Sequence, residues 1–245
     1  MDALILAAGF SKRLEPLTLT CAKPLLPVGG RPMVERVLEK IQAIPALQRT
    51  FLVSNGKFHR DFVAWGRRYP EVTIVNDGAM DNDHRLGPIR DIELVIRTRQ
   101  VADDLLIVAG DNLFDASLAD FAGEAGRRVP WVTIGIVNLQ DRALIRRRYG
   151  VVQMAADGRI SAFFEKPDDP PTTLVSTGIY YFPAQDLRLI GAYLEHGGNP
   201  ENAGYLIQSM VQLPGVYGAM LAGRWFDIGD RQSYEVADNA FGQGS

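Results

Sequence analysis

The feature that most restricts the fold is a change of period that recurs along the first half of the chain. Short apolar runs alternate with stretches whose apolar residues return every three or four positions. The runs are residues 2–8 (DALILAA), 50–55 (TFLVSN), 72–77 (VTIVND), 104–112 (DLLIVAGDN) and 131–138 (WVTIGIVN). Met33, Val34, Val37, Leu38, Ile41 and Ile44 form one helical stripe, with Pro32 suited to its first position. Other helical stretches fall near residues 58–69 and over Ile89, Ile92, Val95 and Ile96. Runs this short suit buried strands, so the alternation predicts an α/β fold: βαβ units in a mostly parallel sheet flanked by helices. The second half is organised differently. Two apolar runs flank Asp157-Gly158, a hairpin signal, and STGIYYF (176–182) reads as a further strand. Helical patterns follow at about 186–195 and 203–212, and VYGAMLAGRWFDIGD returns to extended chain. These pieces predict small antiparallel additions to one body, residues 1–245. There is no internal repeat or linker, and the tail AFGQGS is expected to fray.

Charge narrows the partners. With 26 basic and 29 acidic residues, the chain has a formal net charge of −3. That leaves no electrostatic footprint for nucleic acid or an anionic membrane, while a local pocket can still bind a small anion. The single cysteine, Cys21, excludes an internal disulfide and a cysteine metal cluster. The apolar stretch Ala3–Ala8 is too short for a signal peptide or a membrane span, so a cytoplasmic location is expected.

Ligands of open α/β sheets bind at the carboxyl ends of the strands. Three features mark those ends: the turn after Ala8, Asp77 and Asp111. The first, LILAAGFSKRLEPLT (Leu4–Thr18), opens a buried strand into a turn carrying Lys12 and Arg13. Read alone, Gly9 also fits an ordinary tight turn, and the two cations a solvated pair. No Gly-Lys-Ser/Thr follows, so the turn is not a Walker A loop, and the Gly-x-Gly-x-x-Gly fingerprint is absent. A second segment, AKPLLPVGGRPM (22–33), places Lys23 before Pro24, where the backbone is restricted and the ammonium can act as a fixed point charge. Asp111 by itself fits a strand end or a helix cap, and Asp227 a turn near Gly229. His59, His84 and His196 form no recognisable triad with Cys21 or a serine.

Together these segments resemble the signature of the sugar-phosphate nucleotidyltransferases. LAAGFSKRLEPLT is followed by KPLLPVGGRPM, then GDN (110–112), YGVV (149–152), EKP (165–167), STGIYYF (176–182) and WFDIGD (225–230), all in the family's order. The resemblance covers nearly the whole chain. It implies a Rossmann-like, glycosyltransferase-A-like fold, with a nucleotide-binding half at about 1–130 and an acceptor-binding half at about 131–245. It implies an enzyme joining an NTP and a sugar 1-phosphate into a nucleotide sugar and pyrophosphate, with Mg²⁺ or another divalent cation held by Asp111 and Asp227. Arg13 and Lys23 would then serve the triphosphate beside that pair. Leu6, Ala7, Ala8, Gly9, Ser11 and Lys12 would wrap the nucleotide, with Asn76, Asp77, Leu86 and Gly87 at the base. Lys166 would take the acceptor phosphate and Glu165 its hydroxyls, with Asn112, Gly150, Thr177 and Gly178 lining the same pocket.

The sequence departs from the family pattern in three places. The Gln or Glu that often follows the third strand is absent, with Asn76 or Asp77 in its place. Asp230 stands where Thr is frequent, and a C-terminal β-helix like that of acetyltransferase-fused relatives is not expected. Arg146, Arg147 and Arg148 read as the solvated face of a short helix. A cyclitol phosphate serves as well as a sugar phosphate. Cytidylyl transfer to a non-sugar phosphate and a silent nucleotide sensor are the alternatives, and a homo-oligomer is compatible with all of them.

Overall fold

A computed structural model describes residues 1–212 and 215–242. In chain order its elements are β1 (Asp2–Ala7), β2 (Pro27–Val28), β3 (Arg31–Pro32), α1 (Met33–Gln42), β4 (Thr50–Ser54), α2 (His59–Gly66), β5 (Val72–Asn76), α3 (Pro88–Arg99), β6 (Leu105–Ala109), β7 (Asn112–Phe114) and α4 (Leu118–Arg127). Then come β8 (Val132–Asn138), α5 (Arg142–Ile145), β9 (Gly150–Met154), β10 (Ile160–Glu165), β11 (Leu174–Phe182), α6 (Arg188–Glu195), α7 (Ala203–Met210), β12 (Val216–Met220), β13 (Trp225–Asp227) and α8 (Arg231–Gly242).

One nine-stranded sheet organises the molecule, with β10-β9-β11-β6-β1-β4-β5 along its main path. The strands from β6 to β5 are parallel, as βαβ units require. β11 joins antiparallel to β6 and, along the same edge, to β9. β8 departs from the simple alternation. It lies antiparallel to β11 and parallel to β12, so it extends the second half rather than continuing the parallel series. The sheet is thus continuous between residues before and after 130.

Both faces of the sheet are covered, and the period of two shows in how its strands divide. Ala3, Ile5 and Ala7 of β1 point into one core, with α1, α2 and α4, while Leu4 points into the other, with α3, α6 and α7. In β6, Leu106 and Val108 follow the first group and Leu105 and Ile107 the second. A sheet buried on both faces explains why these strands read as continuous apolar runs.

Three local expectations are corrected. Pro32 ends β3 and caps α1 rather than starting the helix. The tail does not fray at residue 240, because α8 runs to Gly242, and residues 243–245 lie outside the described residues. Arg146–Arg148 follow α5 instead of riding on it, and Arg147 turns left-handed at φ 58°. α4 was not anticipated. Its stripe, Leu118, Phe121, Ala122 and Ala125, has helical spacing but half its members are alanine, and Ser117 caps it by accepting from the Asp120 amide.

Candidate active site

At the carboxyl edge, β6 is followed by Gly110-Asp111, and the chain doubles into β7. β13 pairs antiparallel with β7 and sets Asp227 opposite Asn112. This pairing brings the Asp111 and Asp227 carboxylates together across more than a hundred residues of sequence. Lys23 Nζ donates to Asp111 Oδ2 at 2.6 Å, with its side chain 5% exposed against 35% for the aspartate. Burial, then the charge of Asp111, pushes the Asp227 carboxyl above its ordinary value, and Lys23, Arg148 and Arg13 pull it back. A Cβ on Gly229 would stand 3.4 Å from Arg13 Nη2 and 3.6 Å from Asp227 Oδ2, so Arg13 lies beside that carboxylate. The Tyr149 hydroxyl faces Asp227 from another side. Burial, then the charge of Asp227, raises it to about 12, so it stays protonated.

The acid pair borders a cavity of about 490 Å³ that also contains Leu6, Arg13, Asn112, Gly150, Glu165, Lys166, Thr177 and Gly178. Ten of the site residues expected from sequence, Asp111 and Asp227 included, therefore share one space. Glu165 ends β10 and is buried, which raises its carboxyl, while Lys166 lowers it. A Cβ on Gly204 would fall 1.9 Å from Glu165 Oε2, so only glycine at the start of α7 lets this carboxylate lie there. Lys166, left-handed at φ 49°, donates to Asn202 Oδ1 at 2.6 Å.

The far wall is an irregular part of β11. Between Ser176 and Tyr180, three residues of β11 stand opposite one of β8, Gly135 between Ile136 and Ile134. Gly178 absorbs the bulge at φ +75°. Two of the expected pocket residues fasten it. Thr177 Oγ1 donates to the Gly135 carbonyl at 3.0 Å, and Asn112 Nδ2 donates to the Thr177 carbonyl.

The other expected residues lie along the same edge but outside this cavity. Ala7 ends β1, and the Ala8 carbonyl accepts from Asn55 Nδ2 at 3.0 Å. Ser11 is left-handed at φ 50°, and Lys12 stands 3.9 Å from Asp83 with both side chains exposed. Asn76 Oδ1 and Asp77 Oδ1 accept from the amides of Gly78 and Ala79, which fixes the exit of β5. Gly87 precedes α3 at φ 86°, and Leu86 faces a separate hollow with Arg90 and Leu94. A further hollow of about 510 Å³, between α1 and β7, touches neither Asp111 nor Asp227.

Residues 2–243 match the family described as nucleotidyl transferase. The chain belongs to that family. Among curated relatives, the bifunctional protein GlmU of Methanocaldococcus jannaschii is 25% identical over 230 residues, covering 94% of this chain and 51% of the relative. Mannose-1-phosphate guanylyltransferase of Mycobacterium tuberculosis is 29% identical over 188 residues, covering 74% and 48%. The chain thus spans about half the length of the curated relatives it matches. A crystal structure described as a glucose-1-phosphate thymidylyltransferase from Bacillus anthracis, in complex with sucrose, superposes with a TM-score of 0.84 at 20% identity, over 100% of this chain and 96% of the other. At that identity the likeness establishes the fold.

Sequence reading missed several residues that build this candidate site. Asn55, wholly buried, ties the turn after β1 to the start of α2, because its Oδ1 also accepts from the Phe58 amide. Arg148 and Tyr149 line the cavity and act on Asp227. Asn202 and Gly204 place Lys166 and Glu165. Only Tyr149 carried a signal, since it opens the YGVV motif.

The donor set fits a divalent cation of the Mg²⁺ type. Two carboxylates meet where one raises the other, and among the described residues no group of three or more His, Cys, Asp or Glu could form an all-protein cage. Two carboxylates with the remaining positions left to phosphate and water is the usual arrangement for Mg²⁺ beside a triphosphate.

Proposed function

We propose that the chain transfers a nucleotidyl group from a nucleoside triphosphate to a sugar 1-phosphate, or to a cyclitol 1-phosphate, and releases pyrophosphate. The observation that carries this reading is one cavity lined by Arg13, Asp111, Asp227, Glu165 and Lys166, with Lys23 paired to Asp111 behind it. Family membership supports the reaction class.

An oxygen of the acceptor phosphate attacks the α-phosphorus, and the bond to the bridging oxygen breaks, its electron pair leaving with pyrophosphate. A phosphate monoester is already ionised at neutral pH, so no side chain need remove a proton. The chain's contribution is position and charge. Lys23 holds Asp111 against Asp227. Arg13 meets the charge that grows on the leaving group. Lys166 turns from Asn202 to the acceptor phosphate, and Glu165 accepts from ring hydroxyls. The turn from Leu6 through Ala7, Ala8, Gly9, Ser11 and Lys12 receives the nucleotide, with Asn76, Asp77, Leu86 and Gly87 on the base side. Asp111 and Asp227 would hold Mg²⁺, which when bound neutralises charge among carboxylates and phosphates.

The test is pyrophosphate release from ATP, GTP, CTP, UTP and dTTP with glucose, mannose, N-acetylglucosamine and inositol 1-phosphates, and with phosphocholine. Release that depends on one NTP and one ring phosphate is expected. Turnover with phosphocholine alone would replace the reading by cytidylyl transfer to a non-sugar acceptor, and silence throughout would overturn it.

A further inference from the structure

A second carboxyl pair lies on the same edge and has no part in the transfer chemistry. Asp77 leaves β5, and Asp91 sits in the first turn of α3, its amide donating to the Gly87 carbonyl at 3.0 Å. The two side chains face each other across the base of the loop formed by residues 77–87. Asp91 is 6% exposed, and its Oδ1 is sealed from solvent without a hydrogen-bond partner. Asp77 already accepts from the Ala79 amide, and the Gly56 amide also faces it, so Asp77 is suited to be the ionised member.

Among the described residues, no cation offsets the pair. The basic groups on the surrounding elements are engaged elsewhere. His59 of α2 pairs through Nδ1 with Ser54 Oγ at 3.0 Å, and Lys57 lies over the Phe58 ring. Arg90 of α3 is exposed and faces the outer hollow, while Arg85 of the loop pairs with Glu201. With Asp91 buried, Asp77 half-buried beside it and no cation between them, charging both is disfavoured, so one can hold a proton and donate it to the other.

We infer that Asp91 is a positioning residue for nucleotide binding, closing the loop of residues 77–87 by sharing one proton with Asp77. The loop is where a base would be read, and it reaches the nucleotide turn through Asp83 and Lys12. Other contacts of the loop run to neighbouring segments, as Arg85 does to Glu201, whereas the carboxyl pair joins its two ends to each other. The Gly56 amide donates to the Ala79 carbonyl at 2.8 Å, and Asp81 accepts from its own neighbours Asp83 and His84. The role of the loop rests on the nucleotidyl-transfer reading, but the tie does not. Burial, then the charge of Asp77, raises the Asp91 carboxyl to about 8, so the tie holds at neutral pH and opens above it.

The experiment compares wild type, Asp91→Asn and Asp91→Ala between about pH 6.5 and 9.5. Hydrogen exchange of residues 77–87, corrected for intrinsic rate, reads the tie with no substrate present. Exchange should rise in wild type with a midpoint near pH 8. It should stay low in Asp91→Asn, whose amide donates at every pH, and be raised throughout in Asp91→Ala. Steady-state kinetics with the accepted NTP reads the role of the loop. KM for the NTP should rise about 5- to 10-fold in Asp91→Ala with kcat nearly unchanged, the effect of one lost hydrogen bond. Asp91→Asn should restore KM and remove its alkaline rise. Identical exchange profiles in wild type and Asp91→Asn would overturn the tie. A tie seen by exchange with KM unmoved in Asp91→Ala would overturn the positioning role. A wild type silent with every NTP, alongside the expected exchange, would defeat the functional reading and leave the tie standing.

Discussion

Two pairs of aspartates lie on one edge of one sheet, and their neighbours make them different groups. Asp111 and Asp227 meet through the β7–β13 ladder, with Lys23 at 2.6 Å and Arg13 and Arg148 close by. Asp77 and Asp91 meet across the base of a loop whose Arg85 is paired with Glu201 instead of with them, and Asp91 rises to about 8. In each pair, burial and the neighbouring aspartate push one carboxyl upward, Asp227 in the first and Asp91 in the second. Where cations enter, Lys23, Arg148 and Arg13 pull the raised Asp227 carboxyl back down. Where they do not, the pair resolves its repulsion by keeping a proton. Spacing in the sequence does not distinguish the cases; the surrounding charges do.

The sharpest way to break the comparison is to remove a charge from the first pair. Asp111→Asn or Asp227→Asn should lower turnover by about 10³-fold or more, with thermal melts showing a folded protein. If either variant kept about a tenth of wild-type activity, the first pair would be no more catalytic than the second.

Arg13→Ala probes the cations that separate the pairs. It should lower kcat by about 10²-fold and leave the acceptor KM in place, because its interaction grows as pyrophosphate leaves. Steady-state kinetics that moved only the acceptor KM would put Arg13 at the wrong end of the cavity.

Gly9→Val tests the turn that lies between the pairs, since β1 stands between β6 and β4–β5. A Cβ at Gly9 meets only Ser11 Oγ, at 3.9 Å, so the variant should fold. NTP affinity by calorimetry should fall about 10-fold or more through added bulk at the phosphate approach. Unchanged affinity in folded protein would show that the turn does not receive the nucleotide.

The smallest effect belongs to the second pair. Asp91 has a folded value above its unfolded one, so its stabilising contribution is complete below about pH 4 and is lost as pH rises through about 8. Wild type should therefore lose a few °C more in Tm than Asp91→Asn between about pH 6 and 9. Parallel melting curves would mean that the pair is not buried as described.

Much of the site was legible because motifs sit where elements change. Lys23 before Pro24, Asp111 at the end of an apolar run, and Glu165-Lys166 before Pro167 each mark a strand end or a turn, and all line or border the cavity. Arg148 misled because a run of three arginines is ordinarily a solvated face. Here the chain turns left-handed at Arg147, and Arg148 is directed at Asp227. Asn55, Asn202 and Gly204 were silent because their roles are contacts with distant segments. Asp91 was hidden for the same reason: on a helix with an apolar stripe it reads as one more charged residue.

Sequence alone determined the parallel half of the sheet, since a period of two or of 3.6 is a local property of which faces are buried. It also determined, through the order of its motifs, the residue types available for handling phosphates. Tertiary structure decided which of those residues meet. β8 joined β11 and β12 instead of the parallel series because strand pairing is settled by the surfaces that remain to be covered. Asp227 reached Asp111 through a three-residue ladder that no local pattern encodes. The charge state of each aspartate followed from there, because burial and neighbouring charges act through space, and distance along the chain does not report distance in the fold.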